Sequence, residues 1–181
     1  MNHTDHVNLL RRGIRKPGGD WADLGSGWGA FTLALAELIG PEGTIYSVDK
    51  NRGDLRVQER NMRDRFGERS PSVHYLNGDF TRPLDLPQLD GLVMANALHF
   101  VQPKKTVLAG LLRYLKPRGR FILVEYNVDR GNIWVPYPLS YPAWETLAGE
   151  VGLSETRLLY TRPSRFLREI YSALSFYGDS E

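Results

Sequence analysis

Strand-like and helix-like segments alternate along most of this 181-residue chain, and the alternation limits its possible folds more than any other feature. Short apolar segments typical of strands are followed by longer segments with apolar residues at helical spacing. The predicted order is a helix over 6–14, a strand over 21–24, a helix over 28–39, a strand over 43–48, a helix over 53–66, strands over 73–76 and 91–95, a helix over 104–115, a strand over 121–126 and a helix over 144–151. This order predicts an α/β fold, a doubly wound and mostly parallel sheet with helices on both faces.

The C-terminal part of the chain departs from the alternation. Two extended segments, 156–160 and 166–174, follow the last predicted helix with only a short connection between them. Parallel neighbours need a long crossover, whereas antiparallel neighbours need only a turn. The sequence therefore predicts an antiparallel strand pair at one edge of the sheet.

The composition excludes several kinds of site. The chain has no cysteine, which excludes disulfides, thiolate zinc sites and a cysteine nucleophile. None of its four histidines forms the i, i+4 pair typical of a helical metal site, so no metal site is expected. No apolar segment approaches the roughly 20 residues of a membrane helix, and residues 1–10 lack the apolar core of a signal peptide. A cytoplasmic protein without a membrane span is expected.

The net charge of +2 is small, but basic residues are locally dense. They fall in two groups: Arg11, Arg12, Arg15 and Lys16, then Arg52, Arg56, Arg60, Arg63 and Arg65. Such groups indicate either a solvated helix face or a surface for an acidic partner. A nucleic-acid or protein partner therefore stays open beside a small molecule, and so does a dimer.

A glycine-rich loop follows the first predicted strand and leads directly into a helix. Its sequence over residues 23–29 is Asp-Leu-Gly-Ser-Gly-Trp-Gly, an arrangement that lets a cofactor approach the backbone closely. Asp49 ends the second predicted strand, twenty residues after Gly29. A carboxylate at that place can accept hydrogen bonds from both hydroxyl groups of a ribose. Together the two features predict a site for a nucleoside-containing cofactor.

The same loop also fits the dinucleotide pattern G-x-G-x-x-G/A through Gly25, Gly27 and Ala30. Asp23 argues against NAD(P), because a carboxylate beside the turn would repel a pyrophosphate held over the helix N-terminus. It favours a cofactor with an ammonium group and a sulfonium, which S-adenosylmethionine carries. A tight turn without any ligand would explain the loop but not Asp49.

The loop resembles the first motif of class I S-adenosylmethionine-dependent methyltransferases. Residues 48–50 are similar to the ribose-binding motif of that family, and residues 77–80 to its adenine-binding motif. Residues 115–125 resemble the turn and fifth strand of small-molecule members. The resemblance implies a Rossmann-like fold and a single methyltransferase domain over residues 1–181.

The resemblance also implies a set of cofactor-binding residues. Asp23 would hold the amino group of the donor, and Asp49 would bind its ribose. Asp79 would accept from the adenine amino group with Phe80 beside the ring, although Asp79 could instead cap a turn and Phe80 could be core. Lys50 departs from the apolar residue often found after the ribose acid. The full set is Asp23, Gly25, Ser26, Gly27, Gly29, Asp49, Lys50, Asp79, Phe80 and Asn96.

Asn96 and His99 follow the fourth predicted strand, at the edge where ligands bind in such sheets. They are the candidate catalytic residues, His99 either as a general base or as a structural side chain. This segment resembles small-molecule and quinone-type methyltransferases. It is unlike the Asn-Pro-Pro-Tyr motif of enzymes that methylate base amino groups, which weakens the case for a nucleic-acid acceptor.

The long connection over residues 127–141 is the candidate acceptor-binding segment. A connection of this length is usually functional or disordered, and its aromatic content argues against disorder. Its candidate residues are Arg130, Trp134, Tyr137 and Tyr141, with Arg130 available to an anionic group. It could instead be a packed loop or a dimer contact. A small-molecule methyltransferase is thus predicted, with an NAD(P)-dependent oxidoreductase or a non-catalytic donor-binding partner protein as alternatives.

Overall fold

The computed structural model of the chain describes residues 1–178, so residues 179–181 of the predicted domain lie outside the described part. The strands are β1 (Gly19–Leu24), β2 (Gly43–Asp49), β3 (Ser72–Asn77), β4 (Leu89–Ala95), β5 (Leu115–Tyr126), β6 (Leu153–Pro163) and β7 (Glu169–Tyr177). The helices are α1 (His3–Arg11), α2 (Ala30–Ile39), α3 (Arg52–Phe66), α4 (Lys104–Leu112) and α5 (Tyr141–Glu150), with 3₁₀ turns at Gly67–Arg69 and Leu98–Phe100.

The strands form one seven-stranded sheet in the order β3-β2-β1-β4-β5-β7-β6. Strands β1 to β5 run parallel, and β7 lies antiparallel between β5 and β6. The predicted doubly wound sheet and its C-terminal antiparallel pair are therefore confirmed. The chain winds outward from β1 to β3 and then returns to place β4 beside β1, which opens a crevice at the carboxyl ends of these strands.

Helices cover both faces of the sheet because each strand of the interior is apolar on both sides. On one face, α1, α2 and α3 bury residues such as Leu9, Leu35 and Met62. On the other face, α4 and α5 bury residues such as Leu108 and Trp144. The sheet is thus clamped between two apolar layers, which leaves its carboxyl edge as the place where polar loops collect.

The predicted boundary between α4 and β5 is wrong. The helix ends at Leu112 rather than at residue 115, and Leu115 pairs with Leu89 as the first residue of β5. Leu115 suits the helical apolar spacing, but it is fully buried in the sheet, and the N–H of Leu89 donates to the carbonyl of Tyr114 (2.7 Å). The turn expected at the start of residues 115–125 is an irregularity within β5, where Arg118 adopts a φ of 62°.

The other boundaries differ less. Helix α1 begins at His3 rather than at residue 6, because the side chain of Asn2 accepts from the N–H of Asp5 (2.9 Å) and caps the helix. Phe166 lies in the turn between β6 and β7, not in a strand. The connection after β5 spans residues 127–140, and Tyr141 opens α5.

Candidate active site

The glycine loop after β1 turns through three residues in the left-handed region, Gly25, Gly27 and Gly29, with φ values of 73°, 51° and 85°. A Cβ atom on Gly25 would lie 2.7 Å from the Cβ of Ala97, so this position requires glycine. A Cβ atom on Gly27 would meet no described atom within 4 Å. Gly27 therefore leaves room for a ligand to contact the backbone.

Asp49 ties this loop to the end of β2. Its carboxylate accepts from the N–H of Gly27 (2.8 Å) through one oxygen and from the N–H of Asn51 (2.8 Å) through the other. Each carboxylate oxygen can accept a second hydrogen bond. Asp49 is thus held in place with acceptor capacity left for hydroxyl groups in the cleft.

A buried polar network supports the loop from behind. Gln58 of α3 donates to the hydroxyl of Ser26 (2.8 Å) and to the carbonyl of Gly27 (2.6 Å), while Ser47 donates to Gln58 (2.7 Å). Ser26 therefore directs its hydroxyl to the network rather than to the cleft. Sequence reasoning missed Gln58, although its helical spacing from buried Leu55 and Met62 was a usable signal.

Asp23 lies behind the loop at the end of β1. It is fully buried and accepts a hydrogen bond from Thr32 (2.7 Å). Burial raises the pKa of Asp23 to about 7, the Thr32 hydrogen bond opposes this rise, and the charge of Asp49 adds to it. The full negative charge expected from the sequence is therefore partly suppressed at neutral pH, and an adjacent ammonium group would stabilise the ionised form.

Asp79 and Phe80 form the opposite wall. One oxygen of Asp79 accepts from the hydroxyl (2.7 Å) and the N–H (2.9 Å) of Thr81, and these hydrogen bonds hold the pKa of Asp79 below its usual range. The cleft has a volume of about 530 Å³. Its lining residues are Gly25, Gly27, Asp49, Lys50, Asn51, Asp54, Gly78, Asp79, Phe80, Thr81, Asn96, Ala97, Phe100 and Val101. Most of the predicted cofactor residues are thus brought together.

Asn96 closes the cleft at the end of β4. Its backbone has a φ of 51°, uncommon for a residue other than glycine, and its N–H donates to the carbonyl of Val124 (2.9 Å). The side-chain oxygen of Asn96 is buried and accepts no hydrogen bond from residues 1–178. A buried amide oxygen without a donor fits a ligand that carries N–H or O–H groups.

His99 forms a buried pair with Glu125 at the end of β5. Its Nδ1 lies 2.7 Å from one carboxylate oxygen, and its backbone N–H donates to the other (3.1 Å). Both side chains are nearly inaccessible, and the ring of Phe100, 4.3 Å from the His99 ring, stands on the cleft side. Sequence reasoning missed Glu125, for which a charged residue closing an apolar strand was the only signal.

The 127–140 connection is anchored beside this pair. The N–H of Tyr137 donates to the carbonyl of His99 (3.0 Å), and its hydroxyl lies 3.4 Å from Gln102. Trp134 is 70% exposed, and Arg130 is also exposed. Tyr141 instead packs edge-on against Tyr171 of β7, with ring centroids 5.8 Å apart, where α5 meets the sheet. Of the predicted acceptor residues, the structure brings Tyr137 to the segment that closes the cleft.

Residues 22–123, more than half of the chain, match the family described as methyltransferase domain. The chain belongs to this methyltransferase family. The match spans the glycine loop, Asp49, Asp79 and Asn96, so every strand end that borders the cleft lies within it. The predicted class of S-adenosylmethionine-dependent methyltransferases is confirmed, and the match lends no support to an NAD(P)-dependent oxidoreductase.

Individual relatives agree with the family. The ubiquinone/menaquinone biosynthesis C-methyltransferases UbiE of Burkholderia mallei and Burkholderia thailandensis are 30% identical over 129 residues, 71% of this chain and 50% of each relative. The chain thus spans about half the length of the curated relatives it matches.

Solved structures share the methyltransferase fold. The YcgJ protein of Bacillus subtilis has a TM-score of 0.75 at 12% identity, covering 98% of this chain and all of that one. The 1,6-didemethyltoxoflavin-N1-methyltransferase of Burkholderia thailandensis has a TM-score of 0.75 at 18% identity, covering 98% of this chain and 78% of that one. Separately, no helix within residues 1–178 is long and apolar enough to cross a membrane.

Proposed function

We propose that this methyltransferase binds S-adenosylmethionine in the cleft at the carboxyl ends of β1, β2 and β4 and transfers the methyl group to a small molecule. The observation that carries the proposal is the Asp49 carboxylate, which holds the N–H of Gly27 and still lines the 530 Å³ cleft with free acceptor capacity. We further propose that residues 1–181 act as one domain in the cytoplasm.

The residue roles follow from the geometry of the cleft walls. Asp49 would bind the ribose hydroxyls, while Asp79 would accept from the adenine amino group beside the ring of Phe80. Lys50 would border the adenine side. The unpaired oxygen of Asn96 and the buried carboxyl of Asp23 would stabilise the ammonium group of the donor near Gly25 and Gly27, directly or through water.

When bound, S-adenosylmethionine supplies an electrophilic methyl group on a sulfonium sulfur. The leaving group is then a neutral thioether, which needs no proton from the protein. The protein therefore contributes mainly by position and by exclusion of water. Phe100 stands over the cleft, and the His99–Glu125 pair fixes it from behind. We assign His99 mainly the role of positioning Phe100, because the His99 ring lies behind Phe100 and away from the cleft.

The acceptor is proposed to be a small molecule. The names of relatives support this class, since one group is described as acting in quinone biosynthesis and another as methylating 1,6-didemethyltoxoflavin. Trp134 and Tyr137 would border the acceptor, because Tyr137 is anchored to the segment that closes the cleft. Arg130, which is exposed in this connection, and Tyr141, which opens α5, would also contribute.

Calorimetric titration with S-adenosylhomocysteine and NAD⁺ tests the cofactor. We expect binding of S-adenosylhomocysteine alone, and binding of NAD⁺ alone would contradict the proposal. Incubation of a cell extract with methyl-tritiated S-adenosylmethionine and the protein tests the transfer. We expect label in low-molecular-mass material; binding of the donor without any transfer of label would instead indicate a non-catalytic partner protein.

A further inference from the structure

A row of arginines runs along the exposed side of α3, and none of its members lines the donor cleft. The basic group over residues 52–65 contains five arginines. Because an α-helix turns by about 100° per residue, four of them fall within an arc of about 80°. The row extends for about 16 Å along the helix axis. Its members are Arg52, Arg56, Arg60 and Arg63, and all four are exposed.

The row carries a positive charge that the described part of the chain does not neutralise. The fifth arginine, Arg65, lies on the other side of the helix and pairs with Glu37 at 3.3 Å. The four members of the row form no ion pair within residues 1–178. Three of them also follow one another at i, i+4 spacing, where like charges destabilise a helix. An anionic partner would offset this repulsion.

The row borders a groove between α3 and β3, which is an edge strand of the sheet. Arg52 is held in place there, since its Nε donates to the side-chain oxygen of Asn77 (2.9 Å). Tyr75 contributes a half-buried aromatic ring. Grooves that combine basic side chains with an aromatic ring are typical of surfaces that bind a nucleic-acid strand. The groove has a volume of about 300 Å³ and is lined by Arg52, Leu55, Arg56, Glu59, Tyr75 and Asn77.

The narrow width of the positive row favours one strand over a duplex. Asp64 is exposed and follows the row on the side away from the groove. A duplex laid along α3 would bring a second phosphate backbone towards this carboxylate, whereas a single strand can follow the row alone. A helical strand carries one phosphate per about 3.4 Å, so the row faces about four or five phosphates.

Glu59 places a carboxylate in the lining of this groove. A carboxylate repels phosphates, but it accepts hydrogen bonds from hydroxyl groups. The 2′-hydroxyl is the group by which a protein distinguishes RNA from DNA. Glu59 therefore favours a strand built on ribose.

We propose that the arginine row of α3 and the groove beside it bind single-stranded RNA. The four guanidinium groups contact successive phosphates, Tyr75 contacts a base, and Glu59 accepts from a 2′-hydroxyl. The groove shares no lining residue with the donor cleft, so the inference does not depend on the proposed function. It gives the basic group over residues 52–65 an acidic partner, while the proposed methyl acceptor remains a small molecule.

Fluorescence anisotropy with a labelled oligouridylate of about 12 nucleotides tests this proposal on the full chain. We expect a plot of log association constant against log salt concentration to have a slope of about −2.8, or about −0.7 for each of four phosphates. Arg56→Gln together with Arg60→Gln should halve this slope and weaken binding by about ten- to a hundredfold at about 50 mM salt. Arg11→Gln together with Arg113→Gln removes the same charge from α1 and from the end of α4, and should leave the slope unchanged.

The matching oligodeoxyuridylate separates RNA from DNA. RNA should bind severalfold more tightly, and Glu59→Ala should strengthen DNA binding and remove this preference. Four results overturn the proposal: no binding of the RNA, an unchanged slope in the Arg56 and Arg60 variant, equal binding of RNA and DNA by the wild type, or tighter binding of polyglutamate, which would indicate an acidic protein partner.

Circular dichroism and S-adenosylhomocysteine titration of the same proteins show whether each variant keeps its fold and its donor cleft. Failure of the wild type to bind S-adenosylhomocysteine would count against the proposed function alone, because RNA binding is measured at a separate surface.

Discussion

The two halves of the carboxyl edge are built in different ways. Around the donor cleft, the chain positions its groups through the backbone, as in the hydrogen bond from Gly27 to Asp49 and the left-handed turn at Gly25. Beside it, at the end of β5, Tyr126 meets Arg165 and Phe166 of the turn between β6 and β7 in a second cavity, and these side chains come together only in the folded sheet. A shared cofactor requires a fixed backbone, whereas an acceptor can be changed by substituting loop side chains.

This comparison predicts that substitutions on the two sides separate donor binding from acceptor binding. Gly27→Val should have the largest effect and abolish S-adenosylhomocysteine binding, because its branched side chain would point into the cleft. The fold should survive, since a Cβ there meets no described atom within 4 Å. Calorimetry and circular dichroism test the two parts.

Gly152→Val is the matched control for this substitution. Gly152 also has a positive φ and open space around it, but it lies in the turn before β6. Both variants carry a similar backbone strain, of the order of 1–2 kcal/mol. Only Gly27→Val should lose the ligand; tight binding by that variant would contradict the loop geometry.

His99→Ala should lower the free energy of unfolding by about 3–5 kcal/mol, because it leaves Glu125 buried without its partner. Urea denaturation measures this loss, with His74→Ala, an exposed histidine of β3, as the control. The His99–Glu125 pair lies between the two halves of the carboxyl edge, so we expect its loss to destabilise both of them. A fall in kcat of more than about a thousandfold at unchanged stability would instead identify His99 as a general base.

The fold and the donor side could be predicted because their information is local. Alternating periodicity indicates a parallel sheet, and the spacing from the glycine loop to Asp49 predicts a ribose site. The boundary after α4 failed because Leu115 satisfies the helical spacing, yet the sheet recruits it to pair with Leu89. At this position the pairing between β4 and β5 overrides the helical preference of the local sequence, and no local pattern indicates that pairing.

The missed functional residues share a physical reason. Gln58 lies on the narrow buried face of the charged helix α3, Glu125 lies within the apolar strand β5, and only their distant partners explain them. The second cavity was missed because Phe166 reads as part of a strand, while Arg165 reads as a solvated charge. Their meeting with Tyr126 depends on the antiparallel register of β7, which a list of elements does not contain.

Asp23→Asn sharpens the account of the donor side through its dependence on pH. The folded chain binds a proton on Asp23 up to about pH 7, whereas an unfolded carboxyl releases it near 3.8. The native state therefore binds more protons between these values, and wild-type stability should fall as pH rises from about 4 to 7. Asp23→Asn should remove this decline and be more stable at pH 8 by about 2–4 kcal/mol. Denaturation curves of both proteins at pH 5 and pH 8 test this prediction. If the stability of the wild type falls no more than that of Asp23→Asn, Asp23 is already ionised in the folded, ligand-free protein at pH 5.

Asp49→Ala should weaken S-adenosylhomocysteine binding by about 1–3 kcal/mol, since the ligand loses a charged acceptor. The effect is smaller than that of Gly27→Val because the cleft stays open. Asp64→Ala, on the exposed side of α3, is the control. Wild-type affinity in a folded Asp49→Ala protein would show that Asp49 does not bind the ribose. It would also show that the hydrogen bond from Gly27 to Asp49 is not needed to hold the donor cleft in shape.

The smallest effect is expected for the double substitution of Trp134 and Tyr137 by alanine. Both rings are substantially exposed, so their removal should leave the fold and donor binding unchanged. If they border the acceptor, its KM should rise by about tenfold, which corresponds to roughly 1.4 kcal/mol. Turnover with the acceptor identified by labelling, together with S-adenosylhomocysteine titration, measures both. An unchanged KM with donor binding intact would remove the 127–140 connection from acceptor binding and leave it as a packed cover of the sheet edge.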